Sequence, residues 1–318
     1  MAIWYNFDGE TGDAIFKEMI FRARRVLIFL IQLFLLLLIF FPHFSLGNQG
    51  NAESPRLNVL IISVDTLRPD RLSCYRSPHL KTPNIDALAE RGSLFTRAFA
   101  HTTTTLPSHT NIFLGSTPLF HGVHDNNNFV VREEFLTLAE HLKKYGYSTG
   151  AFVAAYVLDS RFGLNQGFDT YDDSYERSHK LKSSSLERRA EDVVAKSLDW
   201  LRIQRAPWFL WVHCYDPHDP YDPPDPFKSR YEKNPYDGEV AYVDSVLGVF
   251  FDYLKAKDLF ERTLIVFTGD HGESLGQHEE ATHGIFAYNS TLWIPLIMAF
   301  PGSGKNTISQ NVGHIDQF

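Results

Sequence analysis

The chain has only two cysteines, Cys74 and Cys214, in 318 residues. That scarcity excludes a disulfide framework and a zinc site built on thiolates, and no pairing between the two is expected. There is no surplus of positive charge either. Lys+Arg 30 against Asp+Glu 38 leaves a formal −8, which argues against a nucleic-acid binder with a basic face. Gly 20 and Pro 16 are ordinary and no internal period recurs, so collagen-like and repeat architectures are excluded. Apolar residues are not lacking. With 44% hydrophobic and 21% charged residues, the chain has the apolar area that offsets ordering entropy, and disorder as its main state is excluded. The length allows one large core of about 250 residues or two domains. What the chain has in quantity is histidine, 14 residues, so histidine clusters are where chemistry is sought.

Near the N-terminus, Val26 to Phe41 is a sixteen-residue apolar run broken only by Gln32. Extended to Leu46 it reaches the roughly 20 residues of a membrane span. Arg22, Arg24 and Arg25 precede it and the next Lys or Arg is Arg56, so the positive-inside rule leaves the N-terminus in the cytoplasm. Ser45-Leu46-Gly47 also resembles a signal cleavage site, but the leader is long for that. The expected organisation is a cytoplasmic tail over 1–25, a transmembrane anchor over 26–46, a polar linker over 47–54 and a catalytic domain over 55–318. The protein would then be a single-pass cell-membrane protein with its catalytic domain outside.

From Leu57 onward, apolar runs of strand length alternate with helical patterns. Strands are expected at 58–64, 148–154, 208–215, 263–268 and 294–300. Helices are expected at 83–92, 107–114, 135–145, 186–201 and 240–254, the fourth with a good 3.6-residue stripe. The fold class is therefore α/β, a mostly parallel central sheet flanked by helices and preceded by one transmembrane helix. Ligands in open α/β sheets sit at the carboxyl ends of the strands. Three strands run into acid or histidine there: 58–64 into Asp65, 208–215 into Asp216 with His218 beyond, and 263–268 into Gly269-Asp270-His271.

Asp65, Asp270 and His271 are oxygen and imidazole ligands of the kind that hold a divalent metal. Alone, Asp65 reads equally well as a turn or capping residue. A second feature is His101, four threonines, then Leu106-Pro107-Ser108-His109. Pro107 suits a first helical turn, and a hydroxyl just before it lies in the positive field of a helix N-terminus. Thr105 there could attack a phosphorus or sulfur centre with a metal's help. The commoner use of such threonines is to cap the helix. The Gly302–Thr307 stretch evokes a phosphate loop but lacks its spacing.

These residues bring a family into view. Asn58 to Arg68, Thr82-Pro83-Asn84-Ile85, Thr105-Leu106-Pro107-Ser108-His109, Gly115 to Asn126, Gly167-Phe168-Asp169, Asp216 to Tyr221 and Asp270-His271-Gly272-Glu273 follow one another as in the sulfatases of the alkaline phosphatase superfamily. The chain resembles that family over about Leu57 to Phe318. By the same resemblance Val312 to Asp316 precedes a further C-terminal part, so the chain is expected to stop early.

The departures from the family pattern carry information. Sulfatases oxidise a Cys or Ser to formylglycine where this chain has Thr105, and Thr cannot give that aldehyde. His109 replaces the signature arginine. Thr66 replaces the second of two paired aspartates, and Ala154 to Leu158 holds no cation. A threonine nucleophile with Asp, Asp and His ligands resembles instead the phosphodiesterase and phosphoethanolamine- or phosphoglycerol-transferase branches.

The resemblance implies metal ligands Asp65, Thr105, Asp270 and His271, and catalytic roles for Thr105, His109, His218 and His283. The three histidines would bind the substrate anion or protonate the leaving group; alternatively His218 would hold a second metal with Asp216 or His283. The imidazole of His271 favours zinc or manganese over calcium. The expected function is metal-dependent hydrolysis of a sulfate or phosphate ester through a covalent threonine intermediate. An envelope transferase using the same intermediate and an inactive binding protein that kept the fold are the alternatives. The expected partners are an anionic ester substrate and, through the N-terminal helix, a membrane, with no nucleic acid.

Overall fold

A computed structural model describes residues 56–174 and 187–317 of the chain. The run 26–46 read as a membrane anchor lies outside the described residues. Among the described residues no helix is long and apolar enough to cross a membrane.

Among the described residues nine strands make one sheet: β1 (Asn58–Val64), β2 (Ser93–Phe99), β3 (Ser148–Phe152), β4 (Thr170–Asp172), β5 (Trp208–Cys214), β6 (Thr263–Gly269), β7 (Trp293–Ala299), β8 (Asn306–Ile308) and β9 (Val312–Gly313). Their order is β4-β3-β5-β1-β6-β7-β2-β8, with β9 also paired to β2. The strands β4, β3, β5, β1 and β6 run parallel. β7 is antiparallel to both of its neighbours, so the sheet is mostly parallel, as expected, with β7 alone reversed. A strand buried on both faces is apolar whichever way it runs, and its sequence carries no direction.

The helices used below are α1 (Pro83–Ala89), α2 (Thr105–Leu114), α3 (Leu138–Lys144), α4 (Ala190–Leu201) and α5 (Pro235–Ala256). Side chains alternate across the sheet as the two-residue period requires. Leu60, Ile62 and Val64 of β1 and Leu210 and Val212 of β5 join α1, α4 and α5 in one core layer. Ile61 of β1 with Phe209 and Trp211 of β5 join α2 and α3 in the other. Each of these side chains is almost wholly removed from water, and each contributes roughly 1.5–3 kcal/mol of burial. The stripe expected on α4 is real: Ala190, Val193, Val194, Ser197, Leu198 and Leu201 are buried, together with Trp200, while Leu186, expected to begin it, lies outside the described residues.

Because β5, β1 and β6 are adjacent, their carboxyl ends open side by side. β1 pairs Val64 with Cys214 on one side and with Gly269 on the other. Asp65 and Asp270 therefore emerge next to each other. Asp216 emerges beside them but turns away. Its Oδ2 accepts from the Ala190 backbone N–H at 2.9 Å and its Oδ1 pairs with Arg189 at 3.0 Å. It caps α4 and is not available to a second metal with His218.

Helix α2 starts two residues earlier than Pro107 suggested. Proline within the first helical turn sacrifices no hydrogen bond, because those N–H groups lack intrahelical acceptors anyway. Thr105 is thus the first helical residue rather than one preceding it. Cys74 and Cys214 are unpaired.

Candidate active site

Asp65, Asp270 and His271 are fully buried and each offers one ligand atom within 4.8 Å of the others. Each is held by its neighbours. The backbone N–H of Asp65 continues the sheet to the Cys214 carbonyl at 2.9 Å. Asp270 Oδ1 accepts from the backbone N–H groups of Thr66 at 3.1 Å and His271 at 2.7 Å. Thr66 makes its bond from φ 51°, a left-handed conformation that is an outlier for a β-branched residue and is held by its surroundings. Its hydroxyl donates to the Pro217 carbonyl and its own carbonyl accepts from the Tyr236 hydroxyl at 2.8 Å. Gly272 follows because a Cβ there would overlap the Ser290 carbonyl.

The tautomer of His271 follows from its partner. Nδ1 lies 3.0 Å from the Gly272 carbonyl, which can only accept, so Nδ1 carries the proton. Nε2 then presents a lone pair. It points among Asp270 Oδ2 at 3.4 Å, Asp65 Oδ1 at 3.6 Å and Thr105 Oγ at 3.4 Å. Asp65 Oδ1 and Asp270 Oδ2 are buried without a hydrogen-bond partner. Two orphaned carboxylate oxygens facing an imidazole lone pair repel one another unless a cation or a proton stands between them. The donor set suits a borderline-hard divalent ion such as zinc or manganese.

The protonation pattern of the ion-free protein reports the same strain. Burial pushes Asp270 well above the usual carboxylate range, and the charge of Asp65 pushes it further. Burial also opposes the ionisation of Asp65, but the nearby N–H of His213 and the neighbouring imidazoles outweigh it and hold that carboxyl low. His271 is pushed down to about 3, chiefly by burial.

Thr105 Oγ lies 3.4 Å from Asp65 Oδ2. The N-terminus of α2 is aimed at this point, so its dipole favours negative charge there. Asn126 braces the same turn by accepting from the Leu106 N–H at 2.8 Å.

His109 does not face the open side, as a substrate contact would require. Its Nδ1 donates to the Thr105 carbonyl at 2.8 Å, and its Nε2 meets Ser63 Oγ at 2.9 Å. Trp211 Nε1, which can only donate, also reaches Ser63 Oγ at 2.9 Å. Ser63 therefore gives its own proton to His109 Nε2, and His109 is neutral. Burial pushes its pKa well below the ordinary value. Both nitrogens are spent on the protein, so its position suits holding the first turn of α2 on the sheet rather than touching substrate.

His218 and His283 stand at the mouth. His218 Nδ1 donates to the Asp219 carbonyl at 2.6 Å and its ring stacks on Tyr215. The ring centroids of His283 lie 5.1 Å from His218 and 4.5 Å from His271. His283 Nδ1 donates to the buried Glu273 at 3.2 Å, and Tyr221 donates to the same carboxylate at 3.0 Å. Burial lowers the His283 pKa, but the bond and charge of Glu273 outweigh it and raise it overall.

Two contributors escape a reading of the sequence. Glu273 was visible only as part of the Asp270–Glu273 cluster, without its partner. His213 lies inside the apolar strand β5. Its Nδ1 accepts from the Ala154 N–H at 3.3 Å, which leaves Nε2–H aimed at Asp65 Oδ2, 3.5 Å away. The signal was one polar residue on the same strand face as Trp211.

Comparison with known proteins agrees with this architecture. The Sulfatase family model matches residues 57–318. The chain is 24% identical over 340 residues to iduronate 2-sulfatase of Mus musculus, covering 80% of this chain and 61% of that protein. It is 25% identical over 301 residues to an ulvan-active sulfatase of Formosa agariphila, covering 80% and 58%. The chain thus spans about 60% of the length of these curated relatives. Among solved structures, the phosphonate monoester hydrolase of Agrobacterium radiobacter superposes with a TM-score of 0.72 at 23% identity, covering 83% of this chain and 72% of that one.

The orphaned oxygens generate a test. Zinc or manganese at about a hundredfold excess over its dissociation constant should raise the melting temperature by about 5–10 °C. Asp270→Asn should abolish that rise. Its neutral amide also relieves the repulsion, so the ion-free variant should melt at or above the ion-free wild type. Differential scanning calorimetry with and without metal checks both.

Proposed function

The chain belongs to the sulfatase family, and from that premise we propose that it is a metal-dependent hydrolase of sulfate or phosphate esters whose nucleophile is Thr105. The observation that carries this reading is the position of Thr105 Oγ, 3.4 Å from both Asp65 and His271 at the N-terminus of α2.

Asp65, Asp270, His271 and Thr105 Oγ would hold the divalent ion. Such an ion supplies positive charge that acidifies a hydroxyl and offsets the charge of an ester oxygen. Thr105 Oγ, its proton already released to solvent, attacks the sulfur or phosphorus, and its bond to that atom forms as the bond to the substrate alcohol breaks; in the second half of the cycle it leaves again in that deprotonated form. His283 gives the departing alcohol oxygen its proton from Nε2, while Glu273 accepts from Nδ1 and stabilises the imidazolium. Water then hydrolyses the threonine ester, returns Thr105 and restores the proton to His283. His109 contributes by fixing the turn that carries Thr105. His213 keeps Asp65 ionised by aiming an N–H at it.

Acid-quenching the enzyme during turnover of 4-nitrophenyl phosphate and 4-nitrophenyl sulfate should trap an adduct of about 80 Da on Thr105, visible by peptide mass spectrometry. Thr105→Ala should lose the adduct and at least about a thousandfold in kcat, whereas Thr105→Ser should keep both in part. Full turnover by Thr105→Ala would remove Thr105 from the chemistry.

Glu273→Gln tests the proton donor separately. It should slow esters of alkyl alcohols by about a hundredfold and 4-nitrophenyl esters by less than about tenfold, because nitrophenolate departs without protonation. Steady-state kinetics on the two ester classes reads the difference. Equal slowing of both would assign Glu273 a structural role only.

A further inference from the structure

Strand β9 lies beside the end of β2, pairing Val312 with Ala98 and Gly313 with Phe99. A short helical turn, His314–Gln317, follows it at once. Asp316 closes that turn by accepting the Gly313 N–H at 2.8 Å. Gly313 has no room for a side chain, since a Cβ there would overlap the ring of His101. His314 is carried inward by this turn and is wholly buried.

Its Nε2 lies 3.1 Å from the Gly269 carbonyl. A carbonyl only accepts, so Nε2 carries the proton and Nδ1 holds the lone pair. Among the described residues Nδ1 has no hydrogen-bond partner. Burial pushes the His314 pKa down to about 4, so the ring is neutral at ordinary pH. An apolar side chain would fill the same space without stranding a lone pair, and a buried unpaired polar atom carries a desolvation cost. What the imidazole adds is one N–H directed at Gly269.

That carbonyl belongs to the peptide unit joining Gly269 to Asp270. The other side of Gly269 is packed as well: a Cβ there would stand 3.0 Å from the Leu67 carbonyl and 3.1 Å from the Pro295 ring. Without the His314 donor the Gly269 carbonyl would be buried and unpaired, and turning the peptide toward another donor would carry Asp270 with it. The same turn borders the approach to the nucleophile. The ring of His101, which opens the threonine run ending in Thr105, lies 6.2 Å from that of His314, centroid to centroid.

We propose, resting on the metal-dependent reading above, that His314 is a positioning residue of the metal centre, its Nε2–H fixing the Gly269–Asp270 peptide so that Asp270 Oδ2 is set for the ion before the ion arrives. Removing a hydrogen bond that stands behind a ligand typically weakens metal binding by about ten- to a hundredfold.

The test titrates the ion-free full chain with zinc and with manganese by isothermal calorimetry, and records its ion-free melting temperature. His314→Leu removes the donor and keeps most of the volume. His314→Asn ends short of the carbonyl, whereas His314→Gln places an amide N–H about where Nε2 stands. The Leu and Asn variants should raise the metal Kd by about tenfold or more, and the Gln variant should stay within about threefold of the wild type. This split should appear even where the Asn and Gln variants melt alike, which a merely structural role would not produce. If His314→Leu fails to fold, the Asn and Gln pair carries the same comparison. If the variants bind as tightly as the wild type, or Gln weakens binding as much as Asn, the inference falls and the metal site stands. If the wild type takes up neither ion, the metal reading itself falls, and this inference with it.

Discussion

Asp65, Asp270 and the lone pair of His271 are buried around one point, and their mutual repulsion is the constraint on which the rest of the molecule turns. Two unit charges about 4 Å apart at an effective dielectric near 20 repel by about 4 kcal/mol. The fold holds the three together because each is anchored from behind. Asp65 continues a strand, Asp270 accepts two backbone N–H groups, and His271 is fixed by the Gly272 carbonyl. An arrangement that is costly without a cation and well satisfied with one marks these ordinary side chains as a candidate metal site.

The layer beneath gives that point its precision. Trp211, Ser63 and His109 form a chain of hydrogen bonds from β5 through β1 to α2, ending on the carbonyl of Thr105. Its polarity is set by its two fixed ends, an indole that only donates and a carbonyl that only accepts. The same strand face carries His213, which meets Asp65 from the side. The sheet thus positions Thr105 and Asp65 through side chains of a single face, while its other face is occupied by the apolar packing of α1, α4 and α5.

How much of this was legible depended on what each segment had to encode. The ends of β1, β5 and β6 could be read because continuous apolar runs stop abruptly in acid. Thr105, Asp65, Asp270 and His271 followed from those ends and from the order of motifs. The reversed direction of β7 could not be read, since burial on both faces erases directional pattern. β2 was missed because its residues are mostly half-buried and its pairing shifts register between Phe95 and Ala98. Asp216 was legible as a strand-end acid but not as the cap of α4, because capping depends on where another helix begins. His109 was legible as a polar residue four positions after Thr105. Its inward orientation depends on Ser63 and Trp211, which are distant in sequence and adjacent only in the sheet.

The most direct measurement is anomalous diffraction from crystals grown with manganese or zinc. The account predicts one strong peak at about 2.0–2.2 Å from Asp65, Asp270, His271 and Thr105 Oγ together. A peak lying elsewhere, with the two orphaned carboxylate oxygens still facing each other across a protonated Asp270, would contradict it.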